Sequence, residues 1–317
     1  MLPALRVAIS VVTPLVVLTG AGRIDLSIYA LFGAMASAYG RAGTHVDRLV
    51  MQAQAGVFLV GCTVLGTIVS ALDRSAWLAI VAVGLVAAAA SALSDRCVWR
   101  PAGALFPVFA AGACASVPAA WADVSVALAV ACLSALLAVG VGAVGFTSHR
   151  TRRVGRTSLA GRTRAPIARG RAVEHAVAAS GALALAAGLG LAHAYWAAVA
   201  AVVPLALPDA AGGLKRAWNR LFGTAGGLAV AAVLFAFQPR EVAVIGLVAM
   251  LQIGAELFVL RQYGVAMLFV TPMALLMTSM SVGTTSGLVV DRAITTACGI
   301  AVGAAVVAVF HDRSSGW

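Results

Sequence analysis

The sequence predicts an all-α polytopic membrane protein with about twelve transmembrane helices. Of its 317 residues, 62% are hydrophobic and only 10% are charged, whereas soluble domains carry about 25% charged residues. So few charges cannot cover a surface in water, and most of the surface must therefore face lipid. The apolar residues also run in continuous stretches, without the alternation typical of barrel strands, which indicates helices.

A helix that crosses the bilayer needs roughly 20 apolar residues, and the apolar stretches fall into two sets of six. The first set is predicted at residues 4–21, 24–40, 49–71, 76–94, 101–120 and 124–147. The second set is predicted at residues 173–192, 194–208, 218–237, 241–259, 263–282 and 290–310. Segment 194–208 is shorter than a full span and contains two prolines.

A basic segment at residues 148–172 separates a first half, residues 1–147, from a second half, residues 173–317. This linker is rich in Arg, Thr and Gly and lacks apolar periodicity. We expect it on the anionic inner leaflet of the membrane, where each Arg adds about 1 kcal/mol of attraction near the surface. A role as a lipid or regulatory sensor is the alternative.

The basic residues predict the orientation, because they collect on the cytoplasmic side of membrane proteins. With the N-terminus in the cytoplasm, eighteen of the 22 basic residues lie inside. The four at outer positions are Arg23, Arg74, Arg240 and Arg292. The sequence therefore predicts an inner-membrane protein with both termini in the cytoplasm. Tryptophans at predicted outer helix ends, where indole is a typical interfacial anchor, are Trp77, Trp121 and Trp196.

The two halves share a weak internal repeat. Arg48, Gln52 and Gly56 follow the second predicted span, and Arg216 and Arg220 follow the eighth at the same spacing. Each group leads into a glycine-rich helix. Because six helices, an even number, separate the two groups, the halves are predicted to be two six-helix repeats that run parallel in the membrane.

The region around residues 195–227 carries a more specific signal. Tyr195-Trp196 opens one predicted helix, and the next carries Arg216, Arg220, Gly223, Thr224 and Gly227. This pattern resembles the fusaric acid resistance (FUSC) type family, which is related to the aromatic acid exporters. The resemblance covers about 120 residues of the second half and extends over residues 263–272 and 291–299. It implies an exporter of aromatic acids. Arg216, Arg220 and Thr224, which match the motif of the family, are our candidates for its substrate site.

The chemistry of Arg216 and Arg220 points the same way. Four residues apart, they share one helix face, at what the sequence predicts to be the start of a helix. A helix N-terminus and two guanidinium groups together can hold a carboxylate. The alternatives are anchoring of the topology by positive charge and contact with lipid phosphates. Gly223 and Gly227 form a GxxxG pattern that favours close helix packing.

Two further features concern residues inside predicted spans. Glu256 is an acid within the tenth span, and intramembrane acids are typical of coupling sites; the alternative is a surface-reaching pair with Arg261 or Arg220. Thr271 and Thr278 lie on one face of the eleventh predicted helix and are candidates for lining a substrate cavity. The alternative is that their hydroxyls bond their own backbone.

Several classes of function are not indicated. Gly140, Gly142 and Gly145 spell GxGxxG, but they end an apolar helix and lack the strand that a dinucleotide site requires. The five cysteines show no CxxC spacing, so no disulfide framework or zinc site is predicted. The histidines are isolated in the sequence. We predict no catalytic residues, no metal and no cofactor, and the net charge of +11 reflects orientation rather than nucleic-acid binding.

The sequence therefore predicts a secondary transporter that exports aromatic or other weak organic acids and uses an ion gradient. Its predicted partners are a small organic anion and the lipid bilayer, and the sequence does not decide whether the protein forms a homo-oligomer. The alternatives are a channel-like anion pathway and a non-transporting membrane scaffold subunit. A membrane enzyme is disfavoured because no pair of acids or histidines lies in the predicted spans.

Overall fold

The computed structural model describes residues 2–40, 44–72, 76–144, 169–207, 209–238, 241–259, 261–282 and 287–314. Every regular element in these ranges is helical, which confirms the all-α prediction. The α-helices are α1 (Leu2–Gly20), α2 (Ser27–Ala34), α3 (His45–Leu72), α4 (Ala76–Cys97), α5 (Leu105–Ser116), α6 (Trp121–Val144), α7 (Arg169–Gly188), α8 (Tyr195–Ala201), α9 (Ala210–Ala236), α10 (Glu241–Phe258), α11 (Tyr263–Val282) and α12 (Leu288–Ser314).

Six of these helices are long and apolar enough to cross a membrane, namely α3, α4, α6, α9, α11 and α12. The chain is therefore a multi-pass membrane protein. The bilayer has no water to satisfy exposed backbone groups, and a helix satisfies them within itself. The count of twelve full spans stays a prediction.

Three predicted spans contain short helices. Segment 24–40 holds the eight residues of α2 between two 3-10 helices, Ile24–Leu26 and Met35–Ala38. Segment 101–120 holds the twelve residues of α5, which ends where Val117 turns extended ahead of a proline, the conformation that a following proline favours. Segment 194–208 holds the seven residues of α8 and a 3-10 helix that starts at Pro204.

The basic linker falls largely outside the described residues. Of segment 148–172, the structure describes residues 169–172, and these already form the start of α7. The cytoplasmic position of the linker and of both termini stays a prediction.

Helix contacts inside the first six helices have counterparts six helices later. α3 packs on α5 and α6, and α9 packs on α11 and α12. α2 packs on α6, and α8 packs on α12. Contacts also join the first six helices to the last six: α4 packs on α7, α1 on α10, α5 on α8 and α2 on α11.

The glycines of α9 allow α11 to approach closely. A Cβ atom on Gly227 would lie 2.7 Å from the Cβ of Thr271 and 2.8 Å from the carbonyl oxygen of Met267. A Cβ on Gly223 would overlap the carbonyl oxygen of Gly264. The packing role predicted for this GxxxG pattern is therefore confirmed, and α9 and α11 lie side by side where Arg220 is located.

Candidate functional site

Helix α9 places Arg216 and Arg220 inside the bundle rather than at a helix end. The side chain of Asp209 accepts a hydrogen bond from the backbone N–H of Gly212 at 2.7 Å, an N-cap that starts the helix at Ala210. Arg216 and Arg220 are thus the seventh and eleventh residues of α9. The prediction that they flank a helix N-terminus is wrong, because the helix begins eight residues earlier than residue 218, and free N–H groups of a first turn are not next to them.

Both arginines contact Tyr263, the first residue of α11. Nη1 of Arg220 donates a hydrogen bond to the Tyr263 hydroxyl at 3.1 Å, and the Arg216 guanidinium lies 4.5 Å above the centre of the Tyr263 ring. Arg220 is only 3% exposed. The Nε atoms of Arg216 and Arg220 are buried and have no hydrogen-bond partner. The guanidinium groups of Arg216 and Arg220 therefore contact the same tyrosine, and each keeps an Nε–H donor without a partner.

A third arginine, Arg292 on α12, belongs to the same site. The sequence places it among the outer loop charges, but it is 2% exposed, and its guanidinium lies 4.8 Å from the centre of the Trp196 ring. Its Nε and Nη1 atoms are buried without a hydrogen-bond partner. Trp196 itself is fully buried at the start of α8, so its prediction as an interfacial anchor is wrong. Helix α12, which the sequence predicts as a span, packs against α8, and hydropathy does not indicate this contact.

Arg220 and Arg292 lie close enough to repel each other electrostatically. Among the residues that the structure describes, no carboxylate lies within 4 Å of either guanidinium. Asp291 directly precedes Arg292 in the sequence, but its Oδ2 atom lies 3.1 Å from Nδ1 of His193 instead. Buried like charges without a counter-ion are costly. The arrangement therefore favours an anion between the two arginines.

His193 extends the aromatic part of the site. Its ring stacks on Trp196 with the ring centres 4.7 Å apart and an interplanar angle of 17°. Within the described residues, no group of three His, Cys, Asp or Glu side chains is placed to hold a metal ion. Trp196, Tyr263 and His193 thus provide aromatic surface close to the arginines.

The predicted threonines divide into two groups. Thr224 and Thr271 are at most 1% exposed, and their hydroxyls have no hydrogen-bond partner. Thr271 packs against Gly227, one helical turn beyond Thr224 on α9. Thr278 instead donates to the backbone carbonyl of Ala274 at 2.9 Å, which is the alternative considered for it. Thr224 and Thr271 are therefore better candidates for contacts with a ligand.

Glu256 is half-buried near the end of α10. Its Oε1 atom accepts a hydrogen bond from Nε2 of Gln252 at 3.2 Å. Gln252 is 3% exposed, so the carboxylate lies beside a buried amide rather than in open lipid. Its role in coupling stays a prediction.

The comparisons with known proteins concern the second half. Residues 177–306 match the family described as fusaric acid resistance protein-like, which confirms the predicted resemblance. The matched region includes all three arginines of the site. No curated protein and no solved structure matches the chain.

Proposed function

We propose that this membrane protein, whose residues 177–306 match the fusaric acid resistance protein-like family, is a secondary transporter of the inner membrane. It exports aromatic or other weak organic acids, and it binds their carboxylate between Arg220 and Arg292. One observation carries the proposal: these two guanidinium groups are both buried and lie within electrostatic range of each other, and no carboxylate among the described residues lies within 4 Å of them.

A carboxylate is the anion that fits this arrangement. Guanidinium presents its donors as a planar fork that matches two carboxylate oxygens, and charge-assisted hydrogen bonds of this kind are about twice as strong as neutral ones. The free Nε donors of Arg220 and Arg292 supply such bonds. Trp196 and Tyr263 lie against the same arginines, so the proposed carboxylate site has aromatic side chains next to it.

The helix contacts support a six-plus-six arrangement for this transporter. Contacts within the first six helices recur six helices later, and α4–α7 mirrors α1–α10. Two repeats related by a rotation about the membrane normal, as we propose, would give such recurring contacts. In the proposed topology, both termini and the linker are cytoplasmic, as the basic residues predict. A reporter fused at residue 160 and another at the C-terminus should both give cytoplasmic signals; a periplasmic signal at either position contradicts the topology.

Glu256 is proposed as the residue that couples transport to a proton gradient. A half-buried carboxylate in a spanning helix can take up and release a proton during the cycle. Glu256→Gln keeps the size and the hydrogen-bonding capacity of the side chain but cannot ionise. The variant should lose accumulation driven by a pH gradient and keep exchange of labelled for unlabelled benzoate. Accumulation at the wild-type level would remove Glu256 from the coupling mechanism.

The function itself is tested by benzoate flux in proteoliposomes, with and without a pH gradient, at matched protein amounts. The wild type should move benzoate faster when the gradient is present, and Arg220→Lys should lose most of this flux, because an ammonium group cannot replace the guanidinium fork. Arg261→Lys is the matched control, since Arg261 is exposed in the same half, and it should behave like the wild type.

The same experiment separates the alternatives. Flux that follows the membrane potential and ignores the pH gradient identifies a channel-like pathway. An absence of flux for benzoate and for fusaric acid leaves a non-transporting scaffold subunit. Either result contradicts the proposed transporter.

A further inference from the structure

The pattern Arg-x-x-x-Thr-x-x-Gly occurs on two helices of the second half. On α9 it begins at Arg220 and ends at Gly227, and on α12 it begins at Arg292 and ends at Gly299. Residues four apart lie on the same face of a helix, so the arginine and the threonine of each copy share one face. A Cβ atom at either glycine would overlap atoms of a neighbouring helix. Both copies therefore lie in close helix contacts.

Helices α9 and α12 pack on each other and run in opposite directions. Cβ atoms on Gly213 of α9 and on Gly303 of α12 would both come within 3.0 Å of atoms of Pro204. One turn further along α9, Ala217 belongs to the same buried cluster as Ile300 of α12. The residue number thus rises along α9 where it falls along α12.

This register places the two copies of the pattern opposite each other. One turn beyond the contact of Ala217 with Ile300, Arg220 of α9 lies level with Thr296 of α12. After a further turn, Thr224 lies level with Arg292, and it is on the same face of α9 as Ala217, since seven residues make about two turns. Each arginine therefore lies opposite the threonine of the other helix, and the two Arg-Thr pairs form two sides of one site.

The hydroxyl of Thr296 lacks the partner that a buried helical threonine usually has. Six threonines are buried among the residues that the structure describes. Three of them donate to a backbone carbonyl of the preceding turn, the common arrangement in a helix, namely Thr63, Thr67 and Thr295. The other three have no hydrogen-bond partner, namely Thr224, Thr271 and Thr296. Because an unpaired buried hydroxyl is destabilising, the 1% exposed Thr296 is a donor that favours an acceptor from a ligand.

We propose that Thr296 is a substrate-binding residue whose hydroxyl donates a hydrogen bond to the carboxylate held between Arg220 and Arg292. The proposal rests on the proposed function and adds a residue of α12 to the candidate Thr224 of α9. A carboxylate has about four lone-pair sites on its two oxygens, so it can accept from guanidinium groups and from a hydroxyl together. The site thus surrounds the anion with donors from two antiparallel helices.

The test compares stability and affinity in Thr296→Val, which removes the hydroxyl and keeps the branched shape of the side chain. Without ligand, the variant should unfold in detergent at a higher temperature than the wild type, because a methyl group replaces an unpaired buried hydroxyl. Its affinity for benzoate, measured by isothermal titration in lipid nanodiscs, should be at least about tenfold weaker, because the carboxylate loses a donor. A purely structural role would not combine a gain in stability with a loss of affinity.

Two more substitutions at this position isolate the hydroxyl. Thr296→Ser keeps it, and its affinity for benzoate should stay within about threefold of the wild type. Thr296→Ala also lacks the hydroxyl and should bind benzoate as weakly as Thr296→Val. Wild-type affinity in Thr296→Val or Thr296→Ala overturns the proposal, as does a loss in Thr296→Ser that equals theirs.

Thr295→Val is the matched control on the same helix. Thr295 is also buried, but its hydroxyl donates to the backbone carbonyl of Asp291 at 2.5 Å. The control should bind benzoate within about twofold of the wild type, and its unfolding temperature should not rise, because a made hydrogen bond is lost. An equal loss of affinity in Thr295→Val and Thr296→Val overturns the proposal.

The two proposals fail in different ways. If Arg220→Lys and Arg292→Lys weaken benzoate binding while Thr296→Val binds like the wild type, Thr296 is not part of the site and the proposed transporter stands. If the arginine variants also bind benzoate like the wild type, the carboxylate site between the arginines is wrong, and the role of Thr296 is wrong with it.

Discussion

The third helix of each half, α3 in the first and α9 in the second, carries polar residues at the same spacing, but these residues make different contacts. On α3, Nη2 of Arg48 donates to the backbone carbonyl of Gly142 at 3.1 Å, and Nε2 of Gln52 donates to the carbonyl oxygens of Ser37 and Tyr39. On α9, Arg220 reaches the side chain of Tyr263 and keeps an unpartnered Nε. Arg48 also keeps an unpartnered Nε, but it is only half-buried and contacts the His45 side chain. Arg220 is 3% exposed and lies within electrostatic range of a second buried arginine, Arg292.

The difference continues at the sixth helix of each half. Arg48 and Arg216 are equivalent positions in the two halves. At the same separation along the chain, the position equivalent to Arg292 of α12 is Val124, in the first turn of α6. The first half thus has a valine where the second half buries a cation. Two structural repeats must have the same helices in both halves. A single binding site, however, needs charged residues in only one half. In the proposed transporter, the second half therefore binds the carboxylate and the first half serves as the scaffold.

The largest effect is expected when the guanidinium of the second half is changed. Arg292→Lys keeps the charge but removes the fork, so the carboxylate loses hydrogen bonds to a charged group that are worth about 1.5–3 kcal/mol. Apparent affinity for benzoate should fall roughly 10- to 150-fold. Concentration dependence of flux, measured at matched membrane abundance, gives this value.

The matched substitution in the first half is Arg48→Lys. Its Nη2 atom contacts the carbonyl oxygen of Gly142 and Nδ1 of His45, and neither contact needs the guanidinium fork. The affinity for benzoate should therefore stay within about twofold of the wild type. An equal loss of affinity in Arg48→Lys and Arg292→Lys would remove the distinction between the halves.

A second comparison concerns glycines on α9 and α3. The Cβ that Gly227→Ala adds meets Thr271 at 2.7 Å, and overpacking of this kind costs about 1–3 kcal/mol. The Cβ that Gly56→Ala adds meets the Cβ atoms of Ala36 and Ala135 at 3.4 and 3.6 Å, and alanine is the better helix former. Thermal unfolding in detergent should therefore show a clear destabilisation for Gly227→Ala and little change for Gly56→Ala. Equal unfolding temperatures would contradict the close approach of α9 and α11.

The smallest effect is expected from the tryptophans that pack at the core of each half. Trp196→Phe weakens the cation–π contact with Arg292 by about 0.5–1 kcal/mol, which corresponds to roughly a two- to fivefold loss of affinity. Trp99 packs on Tyr39 with the ring centres 5.6 Å apart and contacts no site arginine, so Trp99→Phe should leave the affinity unchanged. A larger loss in Trp99→Phe would assign a binding role to the first half.

Part of this architecture was predictable from the sequence. Long apolar stretches locate helices such as α3, α4 and α6 directly, because a helix that spans the bilayer consists of a continuous run of mostly apolar residues. Arg216 and Arg220 were found through their spacing and their family-like context. The start of α9 was not, since residues 210–217 contain two glycines and two cations, which lower the local hydropathy. The signal that was available is Asp209, whose side chain caps the helix.

Arg292 and Trp196 were missed for a different reason. Both are near predicted outer ends, and charge and aromatic rules assign such residues to the interface. Those rules cannot say which neighbouring helix covers a residue. Here α8 is short and α12 packs along it, so that a residue near a helix end is buried in the bundle. The family-like stretch at residues 291–299 was the one sequence feature that marked Arg292.

The central claim is that the second half alone binds the carboxylate, and equilibrium binding tests it most directly. Isothermal titration of benzoate into the purified protein in lipid nanodiscs avoids any dependence on gradients or membrane abundance. The wild type and Arg48→Lys should bind benzoate with equal affinity, and the double variant Arg220→Lys with Arg292→Lys should bind at least about 100-fold more weakly, since each lost guanidinium contact costs about 1.5 kcal/mol or more. Equal binding by the double variant and the wild type would contradict the account, as would a loss of binding in Arg48→Lys.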